Sequence, residues 1–547
     1  MSTGKQVIMY VGFALGLIVF VVAVWLLVLF ASPGSSIFGT TAVNARQVYT
    51  TYSAEEIPGI ANVLAHRNII IESRYIPIEV RVRKAGQQDA GSIQVWENST
   101  GISFNNVRRT HVEWEQVLVE RTDDEGRVFG EVFYRIRIVE PSGIVNRDGF
   151  VFINLFATED NTAYQQPFNF ILDTGRSHVN FASDNDLVVH QNPLLVDTLQ
   201  VRNATGTITL PAPPTNPEHY SFFVDIGNVV VDTRTVILRC LSPVRYNVTI
   251  NCNAGDFTFG DVGGNFDIDG NVNTVSVNNI GGDLTVRGWR VNFAQRVGEI
   301  GGDVDFRAPN GALSIVRCRG LFMRTTNANL SVSGRVTSLD YESTGIGSVN
   351  VAQVGDEDSW LGDDRVRVIT LNGSVSVFRV WVNSWVESTF GAIRIDFADD
   401  VPLGTSIEPT LTIRAFDGTV TARNIVGGVD IFVRANGNAN IFADFRQIRT
   451  GSVVYEGSTN PHRNRGNMTI TFARDIPYSI IFIHRAASAQ NNTNPQKLTT
   501  LSDHVQVPVG ATLVNDAEYH VRYADGGTVS TGNLRLSTSN TLVINSR

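Results

Sequence analysis

Two tryptophans stand four residues apart in the run FRVWVNSWVES, residues 378–388. Trp381 and Trp385 share one parity with Arg379 and Asn383, whereas the surrounding valines take the other parity. If the valines form the core side of a strand, the four other side chains face outward. Exposed apolar surface usually marks a contact site. We therefore expect these four residues to contact a glycan or a cell-surface protein. The alternative is that another segment, such as the N-terminal β-region, covers both indoles.

The carboxylate pair Asp363 and Asp364 is the strongest candidate for catalysis, because glycoside hydrolysis needs one carboxyl as acid and another as base or nucleophile. The Gly-His-Gly and Arg-x-Lys motifs that accompany such a pair in polysaccharide-cleaving β-helices are absent from the sequence. We interpret the pair as part of a solvated loop. The sequence thus predicts no catalytic residue and no enzyme, with an envelope polysaccharide-active enzyme as the alternative.

Metal and cofactor sites have little support in the sequence. The nine histidines are scattered, with no pair at i, i+2 or i, i+4, and there is no Cys-x-x-Cys pair. Phosphate-binding loops and nucleophile elbows are also missing. We expect neither a metal nor a cofactor.

The chain has three cysteines, Cys240, Cys252 and Cys318, too few for a disulfide scaffold. Cys240 and Cys252 flank a short run and would pair if the compartment is oxidising. The favoured interpretation is that all three are small buried side chains, since free cysteine is commonly buried.

A short sequence that repeats along the chain predicts the strands that position these residues. GGDLTVRG, residues 281–288, returns as GGDVDFRA, residues 301–308. Alternate aliphatic residues predict a strand with one core face, and a coil of such strands stacks on the next coil. We therefore predict an all-β fold, a parallel β-solenoid or β-helix. Glycine permits φ > 0, so Gly282 and Gly302 are expected to turn the chain into each strand. A chain of antiparallel β-sandwiches is the competing architecture.

The first part of the chain predicts a membrane anchor. Residues 7–30 contain no charged residue and are long enough to cross a hydrocarbon core of about 30 Å as a single transmembrane helix. Lys5 precedes this segment, and the positive-inside rule places the N-terminus in the cytoplasm. We expect an uncleaved signal-anchor, a single-pass protein of the cell membrane, and a chain that lies mainly outside the cytoplasm.

Composition shifts divide the sequence into six parts. We expect a short cytoplasmic end at 1–6, the transmembrane helix at 7–30 and a linker at 31–67. Longer strands at 68–195 predict the start of the solenoid or a separate β-domain. The solenoid repeats follow at 196–475, and a C-terminal β-region with a cap at 476–547. A net charge of −9 gives no global attraction for nucleic acid, which we exclude as a partner.

The runs LLVDTLQVRNATGTITL, VGGNFDIDGNVNTVSVNNIGGDLTVRG and GGTVSTGNLRLSTSNTLVINS together resemble the DUF4097 family, whose members are commonly named adhesins. The resemblance covers residues 68–546 and is plainest over 196–473. It implies a β-solenoid, a cell-envelope setting and adhesion, and it supplies no catalytic residues.

Together these features predict a membrane-anchored, extracytoplasmic solenoid that works as a structural or interaction module of adhesive type. One alternative is the polysaccharide-active enzyme described above. Another is an envelope-stress sensor or assembly partner, which would need a membrane partner because the cytoplasmic end is so short. The sequence leaves the oligomeric state open.

Overall fold

The structure is a computed structural model. It describes residues 36–37, 40–53, 67–84, 91–105, 107–122, 126–146, 148–157, 167–183, 194–211, 224–359, 365–401, 409–434, 439–447, 450–456, 468–472, 479–484, 505–506, 512–515, 518–522, 533–538 and 542–546. These residues form strands, turns and bends, so the all-β prediction is confirmed. None of them belongs to a helix that is long and apolar enough to cross a membrane. The predicted anchor at 7–30 lies outside the described residues.

The chain divides into two compact units, Met1–Gly260 and Asp261–Arg547. The strands of the first unit are β1 (Ser36–Ile37), β2 (Thr40–Tyr52), β3 (Asn68–Glu72), β4 (Ile78–Lys84), β5 (Ser92–Ser103), β6 (His111–Thr122), β7 (Val128–Val139), β8 (Gly143–Asn146), β9 (Gly149–Ala157), β10 (Phe168–Gly175), β11 (Val179–Ser183), β12 (Leu194–Ala204), β13 (Thr207–Leu210), β14 (Val224–Cys240) and β15 (Val248–Phe259).

The strands of the second unit are β16 (Phe266–Gly270), β17 (Val272–Val277), β18 (Leu284–Arg287), β19 (Arg290–Phe293), β20 (Val297–Glu299), β21 (Val304–Arg307), β22 (Asn310–Thr325), β23 (Asn327–Ile346), β24 (Val349–Val354), β25 (Arg365–Asn372), β26 (Val375–Val380), β27 (Asn383–Ser388), β28 (Ile393–Phe397), β29 (Leu411–Phe416), β30 (Val420–Ile425), β31 (Val429–Arg434), β32 (Ile441–Phe445), β33 (Thr450–Glu456), β34 (Met468–Phe472), β35 (Ser479–His484), β36 (Val505–Gln506), β37 (Thr512–Asn515), β38 (Glu518–Arg522), β39 (Asn533–Thr538) and β40 (Leu542–Ser546).

The first unit combines parallel and antiparallel pairing. Strands β3, β10, β12, β14 and β15 pair in parallel, and their register aligns one buried row: Ile69, Phe170, Leu199, Val229 and Val248. By contrast, β5 pairs antiparallel with β2, β8 and β9, and β6 pairs antiparallel with β7. Apart from β2, which lies within the stretch 31–67, these antiparallel strands lie at 68–195, where the sequence analysis placed longer strands.

The second unit is a solenoid-like stack of parallel strands from β16 to β34. Each strand pairs with the corresponding strand one coil later, so equivalent inward residues align in rows. One buried row is Phe266, Leu284, Val304, Leu321, Leu339 and Val366. Burying each such side chain contributes about 1.5–3 kcal/mol. The parallel, solenoid-like arrangement that the repeated phrase predicts is therefore confirmed.

The predicted bend at the glycines of the repeated phrase is present, but the predicted positive φ is wrong. Neither Gly282 nor Gly302 has a positive φ. Each is instead required by the close approach of the preceding coil. A Cβ on Gly302 would stand 1.9 Å from Asp283 Oδ1, and a Cβ on Gly282 would stand 2.2 Å from Asn265 Oδ1. The chain bends at both glycines before each strand, and the residue is glycine because a side chain of the preceding coil occupies the space of its Cβ.

Candidate functional site

The structure separates the two tryptophans that the sequence placed on one surface. Trp385 is 52% exposed on the outer side of β27, as predicted. Trp381 is only 3% exposed, so the prediction that it faces outward is wrong. The alternation breaks because the run is not one strand. β26 ends at Val380, Arg379 has a φ of 45°, and β27 begins only at Asn383.

The corner between β26 and β27 turns Trp381 into the interior. Val380, Trp381 and Val382 are all buried, and the Trp381 backbone N–H donates to the Val354 carbonyl at 3.0 Å. The side chain packs beside Gly355, whose Cβ, if present, would stand 3.2 Å from Trp381 Cβ. The alternative considered for the indoles was that another segment of the protein covers them. It applies to Trp381 and not to Trp385.

Arg379 and Asn383 also do not form a common surface with Trp385. The Asn383 side chain serves the stack: its Oδ1 accepts the Thr410 backbone N–H at 2.8 Å and the Thr410 hydroxyl at 3.0 Å. Arg379 is exposed at the other end of the corner, with a guanidinium nitrogen 3.8 Å from Asp400. Of the four predicted contact residues, Trp385 has the geometry best suited to contact.

The disulfide considered for Cys240 and Cys252 does not form, and both thiols are free and buried. In the β14–β15 ladder Cys240 stands opposite Phe259, and Cys252 stands opposite Thr233. The two cysteines are thus seven ladder positions apart, whereas a disulfide requires Cα atoms about 4.4–6.8 Å apart. Burial raises the pKa of Cys240 to about 12, which removes its reactivity as a thiolate.

A groove of about 840 Å³ lies on the outer side of β18, β21, β22 and β23 in the second unit. The polar residues that line it are Asp283, Thr285, Asp303, Asp305, Arg307, Ser338, Asp340 and Arg365. Its apolar lining includes Phe322. The register aligns an outward row across the groove, and the row continues to Trp385: Thr285, Asp305, Phe322, Asp340, Arg367 and Trp385. Trp385 therefore lies on the same face, about 14 Å beyond Phe322 at ~4.8 Å per strand.

Asp340 is the centre of an ion-pair network at one end of the groove. Arg324 donates to both of its carboxylate oxygens, at 2.9 and 3.1 Å, and Arg367 donates to Oδ1 at 2.9 Å. Arg367 also donates to Glu342. Burial by itself would raise the pKa of Asp340, but the hydrogen bonds from the two arginines outweigh it and leave that pKa lowered. The carboxylate is thus held in its charged form.

Asp303 is fixed in a similar way on the other wall. Arg319 donates to both carboxylate oxygens, at 2.8 and 2.5 Å, and the Gly320 backbone N–H donates to Oδ1 at 2.8 Å. The hydrogen bond from Arg319 is the main reason that the pKa of Asp303 is lowered. These contacts leave both of its oxygens occupied by donors of the protein.

A series of hydrogen bonds along this wall explains why an aspartate follows the two glycines in the repeated phrase GGD. Asn265 Oδ1 accepts the Asp283 backbone N–H at 2.9 Å, and Asp283 Oδ1 accepts the Asp303 backbone N–H at 2.8 Å. Asp303 Oδ1 in turn accepts the Gly320 N–H. Each carboxamide or carboxylate therefore caps the backbone of the next coil, in the space that glycine leaves open. We call this series, Asn265, Asp283, Asp303 and Gly320, the capping ladder.

The floor of the groove is aromatic and cationic. The guanidinium carbons of Arg324 and Arg307 lie 4.1 and 5.1 Å from the centre of the Phe322 ring. Such cation–π contacts are worth about 0.5–1 kcal/mol at exposed sites. Arg307 also donates from Nε to Asp305 at 2.8 Å. The two arginines are therefore held in place, and Arg307 lines the groove.

Fixed donors and acceptors suit this groove to binding, and its carboxyls are poorly suited to proton transfer. A glycosidase acid needs a raised pKa so that it carries a proton near neutral pH. The pKa values of Asp303 and Asp340 are lowered instead. Across the described parts of the chain, no three metal-ligating side chains stand close enough together to hold a metal ion. Asp363 and Asp364, the pair considered for catalysis, lie outside the described residues.

Sequence reasoning missed the groove because its residues come from five separated stretches of chain. The repeated glycine phrase pointed to two of its walls, but the partner of each aspartate lies about 20 residues away and only the register identifies it. No family model matches the chain, and no curated protein or solved structure shows a significant similarity to it.

Proposed function

We propose that the protein is a membrane-anchored interaction module of adhesive type, whose second unit binds a glycan along the outer row from Thr285 to Trp385. The observation that carries this proposal is the groove with its fixed polar side chains. Asp283 and Asp305 present acceptors for sugar hydroxyls, and Arg307 and Arg365 present donors. Preorganised groups of this kind reduce the entropy cost of binding.

Trp385 also supports the proposal, because it lies two strands beyond Asp340 in the same outward row. Its indole is half exposed, and its ladder neighbours are Arg367 and Thr412. A sugar ring stacked on the indole would reach hydrogen-bonding groups on both sides. The membrane anchor and the extracytoplasmic setting belong to the same proposal and rest on the uncharged segment at 7–30.

The test is binding of the full-length protein, in detergent, to immobilised dextran, polygalacturonate and peptidoglycan. Trp385→Ala and Asp305→Ala should each weaken retention on at least one of these polymers by about tenfold, the factor that corresponds to a loss of 1.4 kcal/mol. Phe442→Ala is the matched control, because Phe442 is an exposed aromatic residue on β32, outside the row. Equal retention of all three variants, or no retention of the unaltered protein, would contradict the proposal.

The polysaccharide-active enzyme is the second candidate, and the groove gives it one argument: acidic and basic side chains share a concave surface. Its specific expectation is that Asp303→Asn or Asp305→Asn abolishes release of reducing ends from one of the same polymers. We favour binding without cleavage, because the pKa values of Asp303 and Asp340 are lowered.

A further inference from the structure

The corner between β18 and β19 carries an exposed tryptophan between two arginines. Trp289 is 67% exposed, the largest exposed fraction among the tryptophans of the described residues. Arg287 ends β18 on one side of the corner, and Arg290 begins β19 on the other. Both arginines are exposed, and neither guanidinium has a hydrogen bond or ion pair with another described residue. We call Arg287, Trp289 and Arg290 the corner patch.

The backbone of the corner patch is anchored although its side chains are free. The Trp289 N–H donates to Asn271 Oδ1 at 2.9 Å, and the Trp289 carbonyl accepts the Asn310 N–H at 3.2 Å. Gly288 passes so close to the preceding coil that a Cβ there would stand 1.7 Å from the Gly270 carbonyl oxygen. The stack thus fixes the backbone that carries the indole, which lowers the cost of ordering the corner on binding.

Electrostatics at the corner patch favour an anion. Arg287 stands directly opposite Arg307 in the β18–β21 ladder, and like charges in that position destabilise a sheet. Asp305 forms an ion pair with Arg307 and relieves part of the repulsion. On its other side Arg287 stands opposite Asp269, with which it forms no ion pair. An anionic group seated beside Arg287 and Arg290 would give both guanidiniums an ion-pair partner.

We propose that the corner patch binds an acidic polysaccharide, with a sugar ring on the Trp289 indole and carboxylate or sulfate groups on Arg287 and Arg290. This inference rests on the proposed function and names the class of glycan. Single-stranded nucleic acid also combines rings with anionic groups. The inference takes the polysaccharide because it follows the proposed function, and nucleic acid is an outcome of the test.

The experiment measures binding of the full-length protein in detergent to four probes: polygalacturonate, dextran sulfate, neutral dextran and a single-stranded oligothymidylate. The double variant Arg287→Gln/Arg290→Gln should weaken binding of one or both acidic polysaccharides at least about tenfold, since a hydrogen bond to a charged group is worth about 1.5–3 kcal/mol. Trp289→Ala should weaken it to a similar degree, and added salt should reduce the difference between the unaltered protein and the double variant. Arg239→Gln/Arg423→Gln is the matched control, because both residues are exposed arginines outside the patch.

The outcomes separate this inference from the proposed function. If Trp385→Ala weakens polysaccharide binding and the Arg287→Gln/Arg290→Gln variant does not, the corner patch has no such role while the proposed function stands. Tighter binding of oligothymidylate than of either acidic polysaccharide would overturn the inference in favour of nucleic acid. Absence of binding to all three polysaccharides would overturn this inference, and it would overturn the proposed function as well if peptidoglycan is not bound either.

Discussion

Replacing Gly302 with alanine should destabilise the second unit through the capping ladder. The added Cβ would stand 1.9 Å from Asp283 Oδ1, a separation that real Cβ atoms do not show, and 2.9 Å from the Gly282 carbonyl carbon. Asp283 must then move away and lose its hydrogen bond to the Asp303 N–H. A lost hydrogen bond to a charged group costs about 1.5–3 kcal/mol. With the strain of the displaced backbone, we expect a loss of about 2–4 kcal/mol.

Two further variants make the Gly302→Ala measurement discriminating. Gly320→Ala is the matched control in the next coil, because its Cβ would meet Asp303 Oδ1 at 3.0 Å and should be tolerated much better. Asp283→Ala removes the colliding oxygen, so adding Gly302→Ala to it should cost less than Gly302→Ala costs in the unaltered protein.

The assay is urea unfolding of the full-length protein in detergent, followed by circular dichroism and checked by calorimetry. A loss of 2 kcal/mol corresponds to a melting temperature lower by roughly 4–8 °C for a unit of this size. The reasoning is refuted if Gly302→Ala and Gly320→Ala unfold at the same urea concentration. It is equally refuted if the Gly302→Ala and Asp283→Ala losses simply add.

Three other predictions follow from the buried and ion-paired groups. Because the pKa of Asp340 is lowered in the folded state, its contribution to stability is present above the ordinary carboxyl pKa of about 4 and is lost as pH falls through the folded value. Acid unfolding of Asp340→Asn should therefore show a smaller change between pH 5 and pH 2 than that of the unaltered protein. Cys240 is 0% exposed with a pKa of about 12, so iodoacetamide at pH 8 should leave it unmodified until urea unfolds the first unit; rapid labelling of the folded protein would contradict its burial. Trp381→Ala should cost about 3–5 kcal/mol in urea unfolding, whereas Trp385→Ala should change stability by less than about 0.5 kcal/mol; equal losses would contradict their opposite burial.

Much of the second unit was predictable because its strands are local. Leu284 and Val286 alternate with polar residues in the sequence, and this alternation becomes two buried rows in the stack. The phrase around Gly282 showed which part of the chain repeats. In a stack of similar coils, the alternation seen in the sequence corresponds directly to the inward and outward faces of each strand, because every coil repeats the same local pattern.

The failures occur where residues of different coils meet. Parity counted along the chain placed Trp381 outside, but the left-handed Arg379 ends the alternation at a corner that the sequence does not mark. The separation of Cys240 from Cys252 depends on the register of β14 with β15. The sequence marked Gly282 and Gly302 as structurally required, but it gave a positive φ as the reason. A positive φ is a property of one residue. The actual reason is close approach to a side chain of the preceding coil, which the sequence does not show.

The candidate site depended on register for the same reason. Phe322 is unremarkable in the sequence and becomes the floor of the groove only because Arg307 and Arg324 lie over its ring. Arg319 and Asp303 are 16 residues apart, a spacing that no local motif reports.

The central claim is that the groove binds a glycan and leaves it intact. The most direct test measures two quantities in one sample of full-length protein incubated with soluble polygalacturonate: the fraction of polymer bound, and the molar mass of the polymer from light scattering after prolonged incubation. We predict measurable binding that Trp385→Ala weakens, with an unchanged molar mass. A falling molar mass that Asp303→Asn or Asp305→Asn prevents would contradict the claim and show that the groove is catalytic.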